Sequence, residues 1–501
     1  MLNLKRKSIF KSSAAVIMAA LMLLACGTEA AAGNEPEHDC IYAAYPGDVL
    51  PLYNGEFLDI DEGALFAAVT GDRSYLVTWY TDGRLAVSDL VNDRKALLSK
   101  DCASLVDIRD SGLLYTDTED NSYRVLFANA SRLKLGKTLE MRLAENSMSL
   151  IYADAYDNIL SLAEDESEPK VLGVCDSYVC LDGISDNGDI AVWTEIRGNK
   201  SSIFISDGGN KTQLAEIDTK YCGTWLQLSA DEKLAIVASN YSDRMWIKQA
   251  GRTVKNVYLD GEAWYDSFYC DTGSIGYQNA GDIEYVYVSA GAELYNDVLR
   301  VRMNGNAKPV LSEALVYGIA GGRILYENEN GLYSAKLKEG KLSGEKKLSE
   351  DAALARISPD GMYAFYFECL EDNIGRLVCC NLKNGKSFVV AEDAVGLTND
   401  YYATSPDGET LFFYRNARRA VEIGLEEYAE LWVWSRGDKE PVLIDSDVII
   451  GSLSSGLKNG IDKENFSYVK YLDTDTEGNI TGSLMYYDGE AELIDEKIIY
   501  G

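Results

Sequence analysis

Short apolar runs rich in Tyr, Val, Ile, Leu and Trp recur along this chain, and polar two-residue turns separate them. Asn54-Gly55, Asp82-Gly83, Asp207-Gly208, Asn304-Gly305, Asn384-Gly385 and Asp488-Gly489 have the composition of hairpin turns, because such turns need positive φ and these residue types tolerate it. Ser202-Ile203-Phe204-Ile205-Ser206, Val298-Leu299-Arg300-Val301-Arg302, Glu430-Leu431-Trp432-Val433-Trp434 and Ser483-Leu484-Met485-Tyr486-Tyr487 each lead into a turn and then another apolar stretch. Each pair of runs reads as the outer half of a repeating unit. Long amphipathic helical patterns are almost absent, and only eight prolines interrupt the strands, so the prediction is an all-β chain.

A second element punctuates the pattern. Ile184-Ser185-Asp186-Asn187-Gly188, Leu228-Ser229-Ala230-Asp231-Glu232, Ile357-Ser358-Pro359-Asp360-Gly361 and Thr404-Ser405-Pro406-Asp407-Gly408 are four copies of one phrase, each followed by an apolar or aromatic run. Their fourth residues are separated by 44, 129 and 47 positions, and 129 is three steps of 43. A strand-built period of ~40–45 residues is the signature of a β-propeller of four-stranded antiparallel blades. The phrase predicts a tight turn joining two inner strands, in which Ser and Asp side chains bond nearby amides. A metal or ligand at each Asp is the weaker reading. Asp110-Ser111-Gly112, Asp271-Thr272-Gly273 and Ala320-Gly321-Gly322 stand near the missing positions. The hairpins number about ten, against the ~4–8 blades usual for propellers. One ring of seven or eight blades is the expectation, with extra hairpins or two β units as alternatives.

The first residues carry an address. Lys5, Arg6, Lys7 and Lys11 precede an uncharged run from Ala14 to Ala25. That run is too short for a bilayer span of ~20 residues and matches an export signal. Leu23-Leu24-Ala25-Cys26-Gly27 resembles the lipobox of bacterial lipoproteins. The resemblance implies cleavage after Ala25 and lipid on Cys26. The expected organisation is a signal peptide over 1–25, lipidated Cys and flexible tether over 26–39, and a propeller over 40–501. Residues 27–37 have no large apolar side chain to bury, as a spacer requires.

Charge and composition then remove function classes. The formal charge is −33, and loss of the four basic residues of the signal leaves 43 Lys+Arg against 80 Asp+Glu, or −37. A field of that sign disfavours nucleic acid and anionic headgroups, so membrane attachment falls to the lipid on Cys26. The only histidine, His38, lies in the tether, which excludes histidine triads, a histidine general base and multi-histidine metal sites. No Walker loop or dinucleotide-binding turn is present. No cofactor and no metal site is expected, since no two Cys-x-x-Cys pairs occur. Nine cysteines remain beside Cys26 and read mainly as small buried hydrophobes, with a Cys175–Cys180 pairing left open.

The Ile-Ser-Pro-Asp-Gly phrase of 357–361 and its echo at 404–408 resemble the TolB-type and WD-repeat-like propellers of bacterial envelopes. The Leu-x-Tyr-Tyr-Asp-Gly stretch of 484–489 is similar to propeller lipoproteins of Gram-positive bacteria. The resemblance spans about 70–460 and implies binding of proteins, peptides or glycans on one face of a ring. The leading expectation is a non-enzymatic, lipid-anchored, extracytoplasmic binding scaffold whose partner is an envelope protein or a glycan. The alternative is a glycan-binding or glycan-active protein using acidic and aromatic residues near the ring centre, and with 80 acidic residues no catalytic pair can be picked from sequence.

Two inserts depart from the repeat. Residues 415–429 form a charged segment with short-helix character, in which Arg415, Arg418 and Arg419 are candidate partner-binding residues, with neighbouring glutamates offering a plain salt-bridged loop instead. Residues 454–466 are polar and Gly-containing. Asp473-Thr474-Asp475-Thr476-Glu477-Gly478 looks like the start of a calcium loop, but Leu484 stands where the bidentate Glu belongs, so a hairpin turn is the better reading. The seven tryptophans read as packing residues.

Overall fold

The computed structural model describes residues 63–499 and the short strands Leu52–Tyr53 and Glu56–Phe57, except positions 71, 73, 176–177, 219–222, 240–241, 260–262, 271–272, 291–294, 397–401, 406–407, 420–426, 451, 454–465, 475–479 and 488. The described chain is all-β, with antiparallel pairing throughout and three single-turn 3-10 helices as its only helical pieces.

Its strands form a series of consecutive meanders, each with four neighbours in chain order. Unit 1 covers 64–99, unit 4 covers 178–217, unit 5 covers 224–258, unit 8 covers 352–395 and unit 9 covers 402–449. Two long strands are each shared between units. Ser131–Leu143 pairs with Asn121–Leu126 as the fourth strand of unit 2 and with Leu150–Asp154 as the first strand of unit 3. Ala307–Ala320 joins units 6 and 7 in the same way. Unit 10, over 466–499, has three strands. The described residues thus make ten units, in line with the hairpin count from sequence and above the seven or eight expected for one ring.

Burial grades across each unit. Second strands such as Leu234–Ser239 are buried at every position, whereas fourth strands such as Asn210–Ile217 are largely exposed. First strands lie between these limits, as in Thr224–Leu228. First strands of neighbouring units also approach one another more than fourth strands do. That is the gradient of sheets packed side by side like wedges, with first strands at the narrow end.

Apolar clusters cement neighbours face to face. Val77, Leu85 and Val87 of unit 1 pack with Leu113, Tyr115 and Val125 of unit 2. Ile236, Met245 and Ile247 of unit 5 pack with Val286, Val288 and Val301 of unit 6. Leu325 and Leu332 of unit 7 meet Tyr366 and Val378 of unit 8. Burying a side chain of this size contributes ~1.5–3 kcal/mol, so each seam is a substantial local core. Trp193, Trp246 and Trp434 belong to these seams, as expected of packing residues.

Two sequence expectations are corrected. Over 415–429 the described residues are strand rather than helix: Thr410–Arg419 and Glu427–Ser435 form one extended hairpin, with Arg418 opposite Tyr428 and Arg419 opposite Glu427. The strand whose residues 411–414 are all buried carries on into the charged segment, and cross-strand pairing overrides its helical composition. Ser483–Tyr487 lies in the second strand of the three-stranded unit 10, whereas 202–206, 298–302 and 430–434 occupy third strands as expected. Strands Phe466–Thr474 and Ile480–Tyr487 flank the proposed calcium-like turn, whose positions 475–479 lie outside the described residues.

Candidate functional site

The recurring phrase builds the connection between first and second strands, and its geometry repeats closely. In Ser358 the amide donates to Tyr363 O (2.8 Å), the hydroxyl accepts from Tyr363 N (2.9 Å) and donates to Asp360 Oδ1 (2.5 Å). Asp360 Oδ1 also accepts from Met362 N at 2.9 Å. Ser185 with Asn187, and Ser229 with Asp231, do the same, and Ser405 holds Thr410 N at 2.9 Å. A further copy escaped the sequence reading: Thr70 accepts from Tyr75 N (3.1 Å) and donates to Asp72 Oδ1 (2.6 Å). Thr-x-Asp in place of Ser-x-Asp was the available signal. The weaker versions at 110–112 and 320–322 also join first to second strands.

These turns touch one another, unit to unit. Asp72 N donates to Asp110 Oδ1 at 3.1 Å, and Asn146 N donates to Asp186 Oδ1 at 2.7 Å. Glu232, at φ 52, reaches into unit 4, where both of its oxygens accept, one from Asp186 N and one from Asn187 N. Asp231 Oδ1 accepts from Ala280 N at 2.9 Å. Burial raises the Asp231 pKa, but the Ala280 amide, the Ser229 hydroxyl and Lys233 outweigh it and hold the carboxyl at about 2. At the unit 7–8 contact a Cβ on Gly361 (φ +66) would stand 2.2 Å from Ala320 O, so glycine is required there. Among the described residues, the acidic groups of the phrase are therefore spent on the turns and seams. Among the described residues no group of three or more His, Cys, Asp or Glu could hold a metal ion.

The second feature is an arc of first strands. In a β-bulge one extra residue leaves the pleat and its side chain is re-aimed. First strands carry such irregularities at Leu65, Val106, Leu139, Asp182 and Tyr317. Leu65 and Leu139 are exposed, Leu139 by 67%. Asp182 is the exception in chemistry. Its Oδ2 accepts from Thr194 Oγ1 at 2.6 Å, and that hydroxyl lies 3.3 Å from Thr224 Oγ1. Burial pushes the Asp182 carboxyl up to about 8, Thr194 and the Arg142 charge oppose this, and Glu140 adds to it. Glu140 Oε1 in turn accepts from Leu181 N at 3.0 Å.

A carboxyl that holds its proton in the folded chain and loses it at ~3.9 in the unfolded one stabilises the fold most in acid. That stabilisation is complete below pH ~4 and is lost as pH rises toward about 8. Asp182→Asn keeps an acceptor for Thr194 and removes the titration. The expected result is that urea midpoints measured from pH 5 to 9 fall with pH in the parent and are flatter in the variant; parallel profiles would rule this out.

Units 2 and 3 meet through a polar seam. Leu105 and Ile108 face unit 1, so Asp107, Leu114 and Arg124, which lie opposite one another in register, face unit 3. Arg124 is 3% exposed and donates to Ala163 O (2.7 Å), Glu166 O (2.6 Å) and Met148 O (3.4 Å). Asp107 Oδ2 and Arg109 Nη2 stand 3.2 Å apart, while Asp107 Oδ1, Arg109 Nε and Ser111 Oγ are buried with no hydrogen-bond partner among the described residues. Where strand Ser131–Leu143 crosses from unit 2 to unit 3, a cleft of about 370 Å³ opens, lined by Val106, Thr116, Ser122, Thr138, Leu139 and Glu140, among others.

Of the predicted partner-binding arginines, Arg415 is engaged internally: Nε lies 2.6 Å from Asp393 Oδ1 and its guanidinium sits 4.7 Å from the Trp432 ring centroid. Arg418 and Arg419 lie on the same strand, with side chains outside the described residues. Cys26 and the 454–465 insert are also outside them. Cys102, Cys175, Cys180, Cys270, Cys369, Cys379 and Cys380 are thiols, so Cys175 and Cys180 do not pair.

No protein-family model matches the chain, and no curated protein matches it. Its structural neighbours are propeller-type proteins. The tricorn protease has 11% identity and a TM-score of 0.27, over 86% of this chain and 46% of its own. Dipeptidyl peptidase 4 of Porphyromonas gingivalis has 12% identity and a TM-score of 0.37, over 84% of this chain and 64% of its own. An oligogalacturonate lyase of Vibrio parahaemolyticus has 10% identity and a TM-score of 0.30, over 71% and 95%. The chain spans under half of the tricorn protease, and likeness at these levels carries no activity across. What the fold defines is a class: an all-β protein of propeller-like meanders.

Proposed function

We propose that this chain is a lipid-anchored, extracytoplasmic β-propeller protein that binds its ligand or partner without transforming it. The observation that carries the reading is the arc of bulged first strands, which sets Leu65, Val106, Leu139 and Asp182 off the pleat of four successive units on a scaffold tied turn to turn. Recognition groups on rigid strands are held more accurately than groups on loops. The resemblance at Leu23–Gly27 supplies the anchor, through lipid on Cys26, and the 26–39 segment, read from its sequence as a tether, supplies the reach. Arg418 and Arg419 remain candidates for gripping an anionic partner group. Two experiments test the proposal. Cys26→Ala should move the protein from the detergent phase to the aqueous phase on phase separation. Capture from native envelopes by the full chain should yield a specific partner that is lost when the first-strand arc is altered, for instance by Leu65→Asp with Leu139→Asp; capture unaffected by these changes excludes the arc.

A second reading, glycan binding or glycan cleavage, draws on Glu140 and Asp182, carboxyls on the adjacent first strands of units 3 and 4, of which Asp182 is pushed up by burial. Glycosidic cleavage uses two carboxyls, one of them held protonated as the acid. Release of reducing ends from envelope glycans, abolished by Asp182→Asn, would establish that reading over simple binding.

A further inference from the structure

The two shared strands make the same crossing and finish it differently. At the unit 6–7 crossing the bulged residue is Tyr317, whose hydroxyl donates to Glu327 Oε2 at 2.6 Å, and Tyr295 donates to Glu327 Oε1 at 2.9 Å. Two aromatic side chains and a carboxylate are thereby tied together at that crossing. At the unit 2–3 crossing the bulged residue is Leu139, which stays exposed, and the residues below are small: Ser122 and Thr138 share a 2.7 Å hydrogen bond. The opening left there is the 370 Å³ cleft.

The geometry points to this cleft as the binding site for one sugar ring of a neutral or amino sugar. The inference rests on the ligand-binding reading above and names the ligand class. Thr116, Ser122 and Thr138 present hydroxyls that both donate and accept, and Glu140 and Asp120 present acceptors, which is the complement a polyol needs. Val106, Leu139 and Met141 supply apolar surface for the C–H face of a ring. The two charged residues lining the cleft are acidic; Asp120 stands 3.8 Å from the exposed Lys137 ammonium, outside the lining, and Glu140 presents its charge to the cleft, so a uronic acid meets like charge there.

The test is calorimetric titration of the full chain with glucose, glucosamine, N-acetylglucosamine and glucuronate. Two variants accompany it: Leu139→Tyr, which copies the filled crossing at an exposed position, and Glu140→Gln, which keeps an acceptor for Leu181 N. The expected result is binding of at least one of the first three sugars, at least tenfold weaker binding of glucuronate, and at least a tenfold loss in both variants with unchanged thermal melting. Sugar binding that survives both variants, or glucuronate binding as tightly as the others, overturns the proposal. Absence of binding by all four sugars, together with successful capture of an envelope protein, also overturns it while leaving the binding-scaffold reading in place.

Discussion

Arg124→Met should destabilise the chain by about 3–5 kcal/mol, because one buried guanidinium serves three main-chain carbonyls and each abandoned acceptor costs ~1–3 kcal/mol. Burial works to lower the Arg124 pKa, with Glu164, Asp165 and Glu166 opposing it, so the side chain enters the seam charged. Met replaces its length and none of its donors. Lys restores one ammonium in place of a planar fork and should recover only part of the loss. In a protein of consecutive units the damage should be local, so native-state hydrogen exchange is the sharper measurement. Amides of 144–149 and 163–166 should lose protection while those of unit 8 keep theirs. Uniform loss across the chain would show that the units do not open separately, and unchanged protection would refute the role given to Arg124.

Lys470→Met should cost a similar amount, about 3–5 kcal/mol, for a different reason. Lys470 Nζ lies 2.5 Å from Asp445 Oδ1, with side chains 9% and 15% exposed, and Tyr468 donates to Asp445 Oδ2 at 2.7 Å. Burial and then Asp445 push the Tyr468 pKa up, so the phenol remains a donor at all working pH values. Unit 9 and unit 10 share one ladder pair, Val448 with Lys470, so this polar contact joins them where sheet pairing does little. Removing the lysine leaves a largely buried carboxylate without its countercharge, held only by the Tyr468 phenol and the Ser446 amide. Lys470→Met combined with Asp445→Leu should regain most of the stability, since exchanging a buried pair for apolar groups is often neutral. Denaturant midpoints of the two variants decide the matter: equal loss in both would mean that packing, and not the stranded charge, sets the cost.

Much of this fold was legible because its turns are written in local chemistry. Ser185, Ser229, Ser358 and Ser405 announce themselves by a short phrase whose hydrogen bonds close within six residues. Thr70 makes the same turn but was hidden by Thr in place of Ser and by Arg73 where three of the four copies have Gly. The shared strand Ser131–Leu143 was not legible, since nothing in its 13 residues marks where one unit's edge becomes the next unit's inner strand. Arg124, Lys470 and Asp182 were not legible either. Each is a polar residue inside a strand run, and its role depends on partners 23 or more residues away or on a bulge that only pairing reveals. The contacts of Arg415 were equally hidden: composition shows three neighbouring arginines, and only the folded chain shows that Arg415 lies against Asp393 and Trp432.

The seams differ in kind: Arg124 and carbonyls between units 2 and 3, the Glu232 carboxylate on amides between units 4 and 5, bare glycines between units 7 and 8, a lysine–aspartate contact between units 9 and 10. Each behaves as a keyed joint, so a unit carries on its two faces the identity of its neighbours. Exchanging two units along the chain would leave every sheet intact and every joint mismatched. Although the turns repeat, their order does not commute, and gain or loss of a single unit by recombination should be far less tolerated here than in a repeat array with interchangeable faces.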